Sequence, residues 1–283
     1  MNVRMVRSVC AVSLFVLGGG CAAKEAPSGL DDLSQFIFDR VEPAPGLDLS
    51  SQESEIRDAA RKLQAEFAAQ AITSEAPFTG TLSDLPEGSV ANLEGVGERA
   101  SDIALAQGFA LANLARCTLQ QEVNLVASQL ALEVHPDVYE TYEKVFDEDV
   151  TAFREGTASS LGWNTTYKIA PPPVGSAYEA KLRVVGRRIA GDDSVGDILM
   201  TRVHLLEPAV FDGDGGAFDL DFQTEIYVDN RDGTLSHLYG MWRRMVLGPV
   251  SSSDEIFIGQ TLSGFVEFEN RVEAACADGT IPR

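Results

Sequence analysis

Phe218-Asp219-Leu220-Asp221-Phe222-Gln223-Thr224-Glu225-Ile226-Tyr227-Val228-Asp229 alternates an apolar set (Phe218, Leu220, Phe222, Thr224, Ile226, Val228) with a polar one. A period of two is that of a β-strand, whose successive side chains point to opposite faces of a sheet. The stretch therefore reads as a strand with one face on a core and the other toward water. Turn sequences bracket it: Asp212-Gly213-Asp214-Gly215-Gly216 before, Asn230-Arg231-Asp232-Gly233 after. Gly191-Asp192-Asp193 and Gly248-Pro249 mark two more turns. Tyr178, Ala180, Leu182 and Val184 alternate with Glu179, Lys181 and Arg183, and Ile256, Ile258, Leu262, Val266 and Phe268 repeat the scheme less regularly. With Trp163–Ile169 and the β-rich stretches 198–211 and 234–247, this predicts an antiparallel meander of about six strands.

Upstream the period lengthens. Ser50 and Glu53 form a capping box, and Ile56, Ala59, Ala60, Leu63 and Phe67 follow at helical spacing, so a helix is expected over 52–71. Residues 73–95, with Pro77, Gly80, Pro86, Gly88 and Gly95, read as a loop. From Glu98 to Val134 the apolar residues cover most of a helical surface, which predicts a buried helix with a break near Gly108 or Thr118. Pro136 suits the first turn of another, carrying Tyr139, Tyr142, Val145, Phe146, Val150 and Phe153 and ending at Gly156. Helices first and sheet second give an α+β fold. An N-terminal helical segment packs on a C-terminal antiparallel meander, in a single domain over 51–283 with a helical half, 51–157, and a β half, 162–276.

The first residues read as a leader. Arg4 and Arg7 precede a stretch, Val9 to Leu17, that is apolar apart from Ser13, and Gly18 to Gly20 lead into Cys21. The apolar run is shorter than the roughly 20 residues that cross a bilayer. Small residues directly before a cysteine resemble the lipobox of bacterial lipoproteins, although Gly18 stands where that pattern has leucine. The resemblance implies that residues 1–20 are removed, that Cys21 is diacylated, and that the protein is anchored in the bacterial cell envelope. Ala22, rather than Asp, after the cysteine favours the outer membrane. An ordinary signal peptide cut near Ala22 or Ala23, releasing a soluble periplasmic or secreted protein, is the alternative. Residues 21–50, with Pro27, Gly29, Pro43, Pro45 and Gly46, read as a tether that lifts the body off the membrane, with Leu33, Phe36, Ile37 and Phe38 docking on that body.

Charge and cysteines narrow the classes. Asp and Glu outnumber Lys and Arg 43 to 22, a net charge of −21. Such a surface repels phosphate backbones, which argues against nucleic acid as a partner. Cys10 leaves with the leader and Cys21 is the anchor, so Cys117 and Cys276 remain to form a disulfide in an oxidising compartment.

Catalytic signatures are missing. His135, His204 and His237 belong to no His-Glu-x-x-His, and no Gly-x-Ser-x-Gly, Ser-x-x-Lys or Walker loop occurs, so no cofactor is expected. Gly95-Val96-Gly97-Glu98-Arg99-Ala100 matches Gly-x-Gly-x-x-Ala but reads as a helix entry, since no good strand precedes it. Asp212 and Asp214 are similar to the start of a calcium loop, yet Ala217 and Gln223 stand where an EF-hand needs Gly and Glu, so a hairpin turn is preferred. The acidic run Glu140, Glu143, Asp147, Glu148 and Asp149 reads as a solvated face. His204, His237 and Arg243 fall on neighbouring predicted strands and are candidates for one ligand pocket.

Three functions fit. The first is a non-catalytic envelope lipoprotein that binds a partner protein or surface component. The second is a carrier or sensor of an apolar small molecule or lipid, because a curved sheet backed by apolar helices is similar to periplasmic lipoprotein-carrier half-barrels. A hydrolase with a dispersed site comes last.

Overall fold

The computed structural model describes residues 25–43, 49–169, 177–213, 216–247, 250–251 and 255–283. The leader, Cys21 and Asp214 lie outside these residues. From the N-terminus the elements are α1 (Leu30–Phe38), α2 (Leu49–Gln70), β1 (Phe78–Leu82), α3 (Glu87–Val90), a 3-10 helix (Gly97–Leu105), β2 (Gln107–Ala115), α4 (Leu119–Val126) and α5 (Ala131–Val134). They continue as β3 (Tyr139–Phe146), α6 (Val150–Arg154), β4 (Ser160–Ile169), β5 (Glu179–Ile189), β6 (Ile198–Leu205) and β7 (Ala209–Val210). Last come β8 (Ala217–Asp229), β9 (Leu235–Leu247), β10 (Val250–Ser251) and α7 (Glu255–Asp278).

The class is as expected, α+β with an antiparallel meander, but the sheet is larger. Ten strands form it, in the order β1-β2-β9-β8-β6-β5-β4-β3, with β7 added to β8 and β10 to β9. The strand that opened the reading, β8, sits inside it, with Glu225 opposite Thr201 of β6 on one side and Tyr239 of β9 on the other. From Leu220 onward, even-numbered residues of β8 and β9 point one way and odd-numbered ones the other; before it a register irregularity turns Phe218 to the odd-numbered side, against Arg243 and Tyr178. The even face takes α1 and α2. Leu33, Ile37, Ile56, Leu63 and Phe67 pack there on Met200, Ile226 and Leu238. Phe38 meets Trp242 and Phe222 edge-on, at 5.8 and 6.2 Å between ring centroids. Gly240 permits the close approach of α1, since a Cβ there would lie 3.2 Å from Ser34.

Three stretches fold otherwise than their sequence patterns suggest. Residues 98–134 are not one broken helix: β2 runs through them, flanked by the 3-10 helix and α4. Strand β2 is covered on both faces, so it reads as a continuous apolar run that periodicity cannot distinguish from a buried helix. The chain re-enters helix at Thr118, whose side chain and that of Gln121 form a capping box. Residues 139–146 are strand β3, not helix. A register irregularity between Tyr139 and Thr141 interrupts the alternation, and aromatic residues three apart imitate helical spacing. Residues 255–278 are helix α7, not strand: Phe265, Glu269, Val272 and Cys276 recur at steps of four, three and four.

Smaller corrections follow. The expected loop 73–95 holds β1 and α3. A helical half, 51–157, and a β half, 162–276, do not separate, because β1, β2 and β3 lie in the former and α7 in the latter. The tether over 21–50 is shortened too: Ala26, Leu30, Leu33, Ile37 and Val41 are buried in the body. Helix α2 matches the expected 52–71 closely but begins at Leu49, which places Ser50 inside its first turn. Among the described residues, no helix is long and apolar enough to cross a membrane.

Candidate functional site: a tyrosine-lined cavity under the C-terminal helix

The odd-numbered face of the sheet is covered by α7. Its C-terminal end is pinned to the end of β2 by a disulfide between Cys117 and Cys276, with the Cα atoms 5.6 Å apart. Helix α7 meets the sheet chiefly along β2, where Phe109 receives Phe257 and Phe265 edge-on at 6.1 and 6.3 Å. Away from β2 the helix stands off. A cavity of about 390 Å3 opens there, bounded by strands β2 to β6, β8 and β9 and by α4, α5 and α7.

All six tyrosines of the chain border this cavity. Tyr139 lies 4.9 Å from Tyr142 and 5.4 Å from Tyr167, and Tyr167 lies 6.2 Å from Tyr178. Together these rings form one wall. Tyr239 meets Phe265 at 4.7 Å beneath the helix. Leu111, Leu182, Val184, Val203 and Met241 supply aliphatic surface between the rings.

The polar face of β8 thus looks into a covered space, not into bulk water. Asp221, 3 % exposed, is held by Arg243 through Nε and Nη2 at 3.1 and 2.5 Å. Burial opposes charge on Arg243, but Asp221 and the surrounding tyrosines outweigh it and hold the guanidinium above its usual range. Glu225 accepts a hydrogen bond from Thr201 Oγ1 at 3.0 Å. It is enclosed by protein yet retains accessible surface, because the space it borders is the cavity. Desolvation raises its pKa, against the attraction of His237.

His237 Nδ1 faces Asn113 Oδ1 at 3.0 Å and Glu269 Oε2 at 3.3 Å, and Asn113 Nδ2 donates to Glu269 Oε1 at 3.1 Å. Desolvation disfavours the imidazolium, but Glu269 overrides it and the pKa of His237 rises. Glu122, on α4, is 1 % exposed and carries an Oε1 with no hydrogen-bond partner. Desolvation, then the nearby Glu269 and Glu225, push its pKa well up. Lys144 donates from Nζ to the carbonyls of Leu125 and Val126 at 3.1 and 2.9 Å, at the C-terminal end of α4, where a helix favours a cation. Burial nevertheless lowers its pKa to about 7.

Of the three pocket candidates, the structure brings His237 and Arg243 to the cavity, six positions apart on β9. His204 faces the other way. Its Nε2 lies 3.0 Å from the carbonyl of Glu94, and burial brings its pKa down to about 4. Asp212 is on an exposed turn, tied by its own N–H to the carbonyl of Ala177 at 2.8 Å. Among the described residues the one cluster tight enough for a metal ion is Cys117, Glu122 and Cys276, and both sulfurs are spent in the disulfide. Gly95 serves packing: a Cβ there would lie 2.4 Å from the carbonyl oxygen of Leu206, and Arg99 donates to the Gly95 and Leu206 carbonyls at 2.7 and 3.0 Å. The acidic run from Glu140 to Asp149 is solvent-exposed, as its pattern suggests.

The His237–Glu269 pair has the outline of an acid–base relay, but its outer edge is closed. His237 stacks on Tyr227 at 4.1 Å, and its Nε2 is buried without a partner. No hydroxyl or thiol of the described residues is hydrogen-bonded to either ring nitrogen, as a nucleophile would be. Sequence reasoning missed Glu122, Lys144, Glu225 and the tyrosine wall. For Glu225 and Tyr227 the signal was the polar face of β8, which is ambiguous between water and a lined cavity; Glu122, Lys144 and the other tyrosines lie on other elements.

No family model matches the chain, and no curated protein is similar to it. Among solved structures, a STAR-related lipid transfer protein from Xanthomonas axonopodis is 13% identical, with 60% of this chain and 83% of that chain covered at a TM-score of 0.37. The lipid transfer and protein localization domain of human StarD13 is 9% identical, covering 61% and 80% at 0.38. Major latex-like protein 151 of Panax ginseng is 9% identical, covering 63% and 99% at 0.36.

Proposed function

We propose that this protein binds and carries an apolar small molecule or lipid in the space between the sheet and α7. The observation that carries the reading is the cavity of about 390 Å3, lined by aliphatic side chains and by every tyrosine of the chain. Small-molecule sites fall in the range of about 300–1,000 Å3, with mostly apolar walls and a few placed polar groups. A folded chain gains nothing from leaving apolar surface around an empty space, since the lining atoms forfeit dispersion contacts. We place the carrier in the cell envelope, held by a lipid on Cys21, on the strength of the leader sequence. Among the described residues no comparable feature favours the partner-binding reading, and no hydroxyl or thiol is hydrogen-bonded to His237 as the nucleophile of a hydrolase would be.

Titration of the purified protein with the neutral apolar dye Nile red tests the reading. Saturable binding is expected, and Val203→Trp, which places a ring in the cavity, is expected to weaken it at least about tenfold, or about 1.4 kcal/mol. Absence of saturable binding, or equal binding by a folded Val203→Trp variant, would overturn it. Mass spectrometry of the mature N-terminus tests the anchor: a lipid-modified Cys21 is expected, and a free Ala22 or Ala23 terminus would refute it.

A further inference from the structure

The cavity's charges do not balance. Four basic groups line the cavity: Arg243 pairs with Asp221, His237 with Glu269, Lys144 donates to the carbonyls that close α4, and burial lowers the pKa of His135 to about 4. Two carboxyl groups remain, Glu122 from α4 and Glu225 from β8. Neither has a basic group within ion-pair distance, Glu225 has only the hydroxyl of Thr201, and Glu122 Oε1 has nothing. A buried polar atom without a partner loses its hydration with nothing in return, so groups of this kind are normally satisfied by water or ligand. Several of the unpartnered buried atoms gather here: Glu122 Oε1, His135 Nδ1, Trp163 Nε1 and His237 Nε2 belong to residues that line the cavity.

We infer that the cavity selects amphiphiles with a basic nitrogen at the head, an amine held by Glu122 and Glu225, and discriminates against carboxylate heads. The inference rests on the carrier reading and deepens it. An ammonium entering this end of the cavity supplies the donors and the positive charge that the two carboxyl groups lack. In a low dielectric that pairing is far stronger than in water. A carboxylate in the same place would put a third carboxyl group beside Glu122 and Glu225 with no cation to join them, since Arg243 and His237 are paired and Lys144 already donates to the α4 carbonyls. The raised pKa values of Glu122 and Glu225 agree, since burial disfavours their charge more than the nearby His237 and Lys144 offset it for Glu225.

Competition against Nile red at pH 7.5 tests this, using dodecylamine, dodecanol and dodecanoate below their micellar concentrations. Dodecylamine is expected to displace the dye at concentrations at least about tenfold lower than dodecanoate, with dodecanol between. Glu122→Gln and Glu225→Gln, singly and together, should collapse the amine-to-carboxylate ratio to within about threefold; the single variants serve if the double variant does not fold. Equal or better competition by dodecanoate, or an amine preference intact in both single variants, overturns the inference while the carrier reading stands. Failure of Nile red and all three competitors to bind sinks the carrier reading instead.

Discussion

On one face of the sheet, α1 and α2 lie directly on Met200, Ile226 and Leu238, and Gly240 brings α1 closer still. On the other face, one residue along each strand, α7 passes above Thr201, Glu225 and Tyr239 and leaves room for a ligand. The covers are held differently. Burial of Leu33, Ile37, Phe38, Ile56 and Leu63 secures α1 and α2. Helix α7 buries only Ala275 and Cys276 fully, and a covalent bond at that end does what packing does on the other face. A sheet can thus be sealed by a core on one side and roofed on the other, provided that the roof has its own fastening.

That contrast can be broken most forcefully at the fastening. Cys117→Ser combined with Cys276→Ser opens a loop of 159 residues, and the chain-entropy model puts the loss at about 5 kcal/mol. Denaturant titration should show it, along with weakened dye binding; unchanged stability would mean that α7 is held by packing after all. Next comes the core face. Phe38→Ala removes a fully buried ring between Phe222 and Trp242 and should cost about 3–5 kcal/mol.

The cavity face should answer to pH instead. Lys144 has a folded pKa of about 7 against an ordinary 10.5, so its buried charge penalises the folded state fully below pH 7, and the penalty fades as pH rises toward 10.5. Lys144→Met should therefore be relatively more stable near pH 6.5 than near pH 10, less the two hydrogen bonds it gives up. Glu122 runs the opposite way. Its folded pKa is raised, so the penalty is absent below the ordinary 4.5 and builds as pH climbs from there. Glu122→Gln should raise the melting temperature at pH 7.5 and leave it unchanged at pH 4. A parallel pH response in the two variants would contradict these assignments. The smallest effect belongs to the roof: Phe268 lines the cavity but is 37 % exposed, so Phe268→Ala should cost below about 1.5 kcal/mol in stability while still altering dye affinity.

The half of the fold that alternates cleanly was legible. The strands around β8, the turns between them, α2 and the Cys117–Cys276 pair all follow from local pattern. What failed was any stretch whose environment differs on its two faces from the usual case. Strand β2 is buried twice and lost its alternation. Strand β3 carries an irregularity that mimics a helical step. Helix α7 is wet on one side and lines a cavity on the other, so its apolar residues were read as a ragged strand despite the recurrence from Phe265 to Cys276. The cavity failed for the same reason. Asp221, Glu225 and Tyr227 alternate as solvent-facing residues do, and only the position of α7, set by a residue far along the chain, turns that face inward.

Ala26 is 2 % exposed, and its N–H is held by Asp58 Oδ2 at 3.0 Å; one turn along α2, Arg61 reaches Ser194 in the turn between β5 and β6 at 3.0 Å. If Cys21 bears the lipid proposed above, the chain between it and Ala26 can stretch no further than about 17 Å at full extension. That is a leash shorter than the body is long, so the molecule could not roll freely over the bilayer. The end with the β5–β6 and β8–β9 turns, nearest His237, would stay beside the headgroups, and the Arg243 end would point away from them.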